Sequence, residues 1–61
     1  MWVTVVVRGH QYHLRFTNRV LKEIRSGKDC FPAEWYSTRF PSMFATLLQL
    51  GLAQLIEEIA V

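Results

Sequence analysis

The stretch Thr38–Val61 reads as one helix with more apolar surface than a small domain can hide, and this constrains the fold more than any other feature. Wound at about 100° per residue, Phe44, Leu48, Leu52, Leu55 and Ile59 fall on one stripe, the pattern of a core-facing helix. Met43, Leu47 and Leu50 make a second apolar patch near the start of the same helix, with Thr46, Gln49 and Glu57 as a narrow polar strip between the two. A helix with two apolar faces needs two partners, and a small sheet covers one of them. Met43, Leu47 and Leu50 are therefore expected in an interface between copies of the chain.

Chain length points the same way. The 61 residues make a single small domain, 1–61, and domains of this size bury only about 60% of their unfolded surface. They usually need a disulfide, a metal or oligomerisation. The lone Cys30 excludes an internal disulfide, and no Cys/His spacing of structural-zinc type is present, so no metal or cofactor is expected. Oligomerisation remains. With 51% hydrophobic residues the chain is not disordered. Ser42–Val61 has the length of a membrane span, but Gln49, Gly51, Gln54, Glu57 and Glu58 make insertion expensive, so no membrane partner is expected. Met1–Val7 is too short for a signal peptide and lacks a basic leader, and a single thiol suits a reducing compartment. A cytoplasmic location is the expectation.

The net charge of +2 is unevenly spread. Arg8, Arg15, Arg19, Lys22, Arg25 and Lys28 face one acid, Glu23, in the first half. Arg39 faces Asp29, Glu34, Glu57 and Glu58 in the second. An acidic partner would meet the first half.

Trp2–Val7 is rich in β-branched residues and reads as a strand. Arg8-Gly9 supplies a two-residue turn, and Gln11–Phe16 alternates, with Tyr12, Leu14 and Phe16 on one face and Gln11, His13 and Arg15 on the other. Thr17–Ser26 reads two ways. Val20, Leu21 and Ile24 have helical spacing after a Thr-Asn cap signal, which local propensity favours; the same residues fit a further strand ending in a Ser26-Gly27-Lys28-Asp29 turn. Pro32 keeps Phe31 out of a helix, so Cys30–Ser37 reads as extended, an edge strand with one of Trp35 and Tyr36 facing outward. Thr38 is the expected N-cap of the long helix, with Pro41 in its first turn. The fold class is α+β: a small antiparallel β-hairpin or three-stranded meander packed on a long C-terminal helix. The expected core is Val3, Val5, Val7, Tyr12, Leu14, Phe16, Phe44, Leu48, Leu52, Leu55 and Ile59.

In order, the chain has two short strands, a Ser-Gly-Lys-Asp stretch, the segment Pro32-Ala33-Glu34-Trp35-Tyr36-Ser37-Thr38 and a leucine-rich helix from near Phe40. Over roughly Tyr12 to Gln54 this order resembles a group of small proteins carried by temperate bacteriophages. Those proteins have a longer, more polar middle section and a more charged helix. The resemblance implies a β-meander followed by a helix, which favours the extended reading of the middle segment, and it supplies no function.

No constellation of catalytic type stands out. His10 and His13 point to opposite faces of a strand, and Glu57 and Glu58 diverge on a helix. There is no glycine-rich phosphate loop and no serine elbow. The chain is expected to be no enzyme. It is expected to self-associate and to bind another protein, with Arg8, His13, Arg15, Arg25 and Tyr36 as candidate contacts. The alternative is a small DNA- or RNA-binding protein that uses the basic hairpin face.

Overall fold

Three tight turns shape the first half of the molecule. In the computed structural model, which describes the backbone of residues 1–60 and the side chains of residues 1–59, Arg8 and Gly9 both have positive φ (51° and 80°). Asn18 and Arg19 repeat that geometry (52° and 63°), and Gly27 (61°) opens the third turn. Paired positive φ values give a two-residue turn whose twist matches the flanking strands and close the first two hairpins; a glycine at positive φ in the first central position does the same for the third. The strands are β1 (Trp2–Val7), β2 (His10–Thr17), β3 (Val20–Ser26) and β4 (Asp29–Pro32). They form one four-stranded antiparallel sheet in the order β1-β2-β3-β4.

The ambiguous segment is thus a strand, and its helical spacing has a local cause. Arg15 pairs with Glu23 but Phe16 pairs with Leu21, leaving Lys22 as an extra residue in β3. This bulge puts Leu21 and Ile24, three residues apart, on the same buried face.

Two helices follow, α1 (Ala33–Arg39) and α2 (Pro41–Ala60). The extended edge strand expected at Ala33–Ser37 is α1 instead. Proline restricts the residue before it, so Phe31 remains extended in β4 while Pro32 itself, at φ −60°, launches the helix. The long helix accordingly starts at Pro41 rather than Thr38. Phe40 alone separates the helices, at φ −133° and ψ 66°. Pro41 has no N–H to continue the ladder and disfavours helical geometry at Phe40, which forces the break. Phe40 still bridges it: its N–H donates to Tyr36 O (2.7 Å), and its carbonyl accepts from the Phe44 N–H (2.8 Å). Val61, placed in the helix by the sequence reading, lies outside the described residues.

The core lies between the inner sheet face and the helices. Val3, Val5, Leu14, Phe16, Leu21, Ile24, Ala33, Tyr36, Leu47 and Leu55 are buried, and Val7, Tyr12, Phe44, Leu48 and Leu52 pack against them half-buried. Ile59, expected in the core, is 55% exposed. Leu47, expected in an interface, is completely buried. The burial of Leu47 follows from Gly51, which packs on Leu14 and Phe16 at the middle of the buried face. Leu47 and Leu55 flank it by about 40° each on the helix surface. The two apolar faces are therefore the flanks of one broad face whose centre is a glycine.

Candidate interaction surfaces

The solvent face of the sheet collects much of the basic half. Cross-strand pairing puts Thr4, His13, Arg25 and Cys30 in one row, and Trp2, Arg15, Glu23 and Pro32 in the next. Thr4 Oγ1 and His13 Nδ1 share a hydrogen bond of 2.9 Å. Arg15 forms an ion pair with Glu23, which spends much of its charge locally. Arg25 Nε donates to the Gly27 carbonyl (3.2 Å), leaving the rest of its guanidinium in solvent. Trp2, His13, Arg25 and Gly27 line a shallow hollow on this face. Three of the expected contacts, His13, Arg15 and Arg25, are thus brought together.

The other two are not. Arg8 lies at the β1–β2 turn, on the helix side, where it joins Val7, His10, Tyr12, Ser42, Met43 and Thr46 around a separate hollow. Tyr36, expected to face a partner, is buried. Because its segment is helical, it turns inward, and burial pushes its hydroxyl above the usual tyrosine range. Trp35 occupies the outer position. It stacks on Phe31 at 4.2 Å, touches Phe40 at 5.9 Å and carries the Arg39 guanidinium 4.7 Å above its ring. This aromatic corner was not foreseen, because its members converge only when the segment coils.

Of the expected interface residues, Met43 is half-buried and accepts a long contact from the Tyr12 hydroxyl (3.6 Å to sulfur). Leu50 is 41% exposed. It belongs to a groove running between β1 and α2, lined by Thr4, Val5, Val6, Leu50, Ala53, Gln54 and Glu57. A third apolar surface lies near the end of α2, where Leu52, Ile56 and Ile59 surround Leu55 beside Arg19.

The groove borders a free strand edge. The amino nitrogen of Met1 donates to Phe16 O (2.9 Å), and the Phe16 N–H donates back to Met1 O (2.8 Å). Alternation along an antiparallel pair then directs the peptide groups of Val3, Val5 and Val7 into the sheet and those of Trp2, Thr4 and Val6 outward. The whole of β1 is uncharged, and the outer side chains Trp2 and Val6 are 48% and 60% exposed.

Among the described residues no three of His, Cys, Asp and Glu converge. Cys30 is exposed; desolvation and then the nearby Glu23 carboxylate push its thiol upward, the opposite of an activated nucleophile. Among the described residues no helix is long and apolar enough to cross a membrane. No protein-family model, curated protein or solved structure matches the chain.

Proposed function

We propose that this chain is a non-enzymatic accessory protein of phage type, acting in the host cytoplasm by self-association and by binding another protein. The observation that carries this reading is the number of large apolar side chains left in water around a core that is already closed. Trp2, Val6, Leu50, Ile56 and Ile59 all retain at least 41% of their exposure while Leu14, Ile24 and Leu47 are fully buried. Grouped on one surface, as Ile56 and Ile59 are beside Leu52 and Leu55, exposed apolar side chains mark association sites. Light scattering tests self-association directly: a species larger than one chain is expected at tens of micromolar, and a monomer there refutes it. Tagged protein retaining a defined host protein through washing, with loss of that protein on Ile56→Glu, supports the partner half of the reading.

A second reading, nucleic-acid binding, draws on the His13–Arg25 row with Trp2 and Arg15 beside it on the open sheet face. Bases stack on exposed aromatic rings, and Arg contacts phosphates. Binding would then weaken with salt by about one log–log unit per phosphate contacted. The Glu23 carboxylate paired with Arg15 in the adjoining row and the dispersion of Arg8, Arg19 and Lys28 to separate turns argue against a tight site. Sub-micromolar binding to DNA or RNA at about 150 mM salt, well beyond ordinary non-specific affinity, would reverse the ranking.

A further inference from the structure

We infer that the second copy of this chain docks on the free edge of β1, so that two four-stranded sheets join through antiparallel β1–β1′ pairing. This rests on the self-association reading and specifies its geometry. An uncharged strand with open peptide groups is a template for another strand, and natural proteins normally block such edges with Lys, Pro or a bulge. The other edge strand, β4, is only four residues long and ends in Pro32; β1 has no such device.

The register follows from which peptide groups point outward. Because Trp2, Thr4 and Val6 present theirs to the free edge, a two-fold axis through Thr4 pairs Thr4 with Thr4′ and Trp2 with Val6′. Every outward N–H and C=O along the strand is then satisfied. On the solvent face this places an aromatic ring against a β-branched side chain on either side of a Thr–Thr pair, both favourable cross-strand combinations. On the inner face Val3 meets Val5′. An axis through Val5 instead uses Arg8, whose positive φ lies in the turn, and leaves fewer strand peptides paired.

Charge complementarity selects a second copy as the occupant. Helix α2 begins beside Val7 and Arg8 and passes Thr4 with Ala53, Gln54 and Glu57, so it runs opposite to β1. A two-fold axis normal to the sheet sets both α2 helices on the same side, antiparallel, with their Leu50 and Ala53 flanks facing. It also carries the turn of one copy, with Arg8 and His10, toward the end of the other copy's α2, where Glu57 and Glu58 sit without a basic residue in the last turn. Two acids at a helix C-terminus are unfavourable alone, and the guanidinium of Arg8 from the second copy offsets them.

The test uses substitutions that spare the monomer. Proline at Thr4 removes an N–H that β2 does not use, a position where edge strands tolerate it. Thr4→Pro should reduce dimerisation at least tenfold in light scattering with the β signal in circular dichroism retained. Thr4→Lys, which sets two like charges face to face, should do the same and decides the matter if the proline variant fails to fold. In a Cys30→Ser background, Thr4→Cys should cross-link on oxidation, since directly paired Cα atoms lie about 5.5 Å apart. Val6→Cys should not, being offset by about 14 Å in this register. Equal cross-linking of both overturns the register. A dimer unaffected by both Thr4→Pro and Thr4→Lys overturns the edge pairing but leaves self-association standing. A monomeric native protein overturns both.

Discussion

Replacing Gly51 by Ala sets two opposing effects against each other, and the structure predicts which wins. Glycine inside a helix is about 0.8–1.0 kcal/mol less favourable than alanine, so on propensity alone Gly51→Ala stabilises the protein. The added methyl, however, would lie 2.5 Å from Leu14 Cδ1 and 3.0 Å from both Cε2 and Cζ of Phe16. Comfortable carbon contacts are about 3.5–4.0 Å, so the helix or these side chains must shift by roughly 1 Å. Leu14 is fully buried and Phe16 is 2% exposed, so neither has solvent to move into. Overpacking of this kind costs about 1–3 kcal/mol. The net expectation is a destabilisation of about 1 kcal/mol, a drop of about 4–8 °C in Tm for a domain this small. Urea and thermal unfolding followed by circular dichroism, at one fixed protein concentration, measure it. Ala45→Gly on the exposed side of α2 supplies the reference for propensity alone. A Gly51→Ala protein more stable than wild type by about the size of that reference would refute the close-packing argument.

Other positions give equally definite outcomes. Leu47→Ala removes a fully buried side chain and should lower unfolding free energy by about 2–5 kcal/mol, against near zero if the residue lay on the surface. Arg19, held at φ 63°, should gain stability on change to Gly, by about 0.5–1 kcal/mol, read as a higher Tm. The raised pKa of Tyr36 favours the neutral hydroxyl in the folded state, so stability is complete below the ordinary value of 10.0 and falls as pH rises through the folded value. Tyr36→Phe should flatten that alkaline loss in unfolding curves taken across the range, and an unchanged slope would remove Tyr36 as its source.

The first hairpin was legible because β1 and β2 alternate strictly and Arg8-Gly9 suits its turn. The α+β class followed from the same signal and from the length of α2. Strand β3 was not separable from a helix, since the bulge at Lys22 gives Leu21 and Ile24 a helical spacing while keeping both on one sheet face. Helix α1 was hidden by reading Pro32 as a stop when it acts as a start. On α2, hydrophobicity counted by residue passes over Gly51, so the centre of the buried face looked like a gap and Leu47 looked spare. His13 and Arg15 share a face by simple alternation; Tyr36 was misplaced because its inward direction depends on α1. The open edge of β1 is a property of pairing order, which no local pattern encodes.

The meander order carries a consequence for synthesis. Each strand pairs with the one before it, so the sheet can zip hairpin by hairpin, on a timescale of about 1–10 μs each. Its lid is encoded last: Leu47 and Leu55 follow all four strands in the chain. At about 5–20 residues per second, translating α1 and α2 takes on the order of seconds. Until α1 and α2 dock, Val3, Val5, Leu14, Phe16 and Ile24 lack the cover they have in the folded protein, next to an unblocked strand edge. The nascent chain is therefore most vulnerable to misassembly on a polysome, where neighbouring copies at the same stage are held close together.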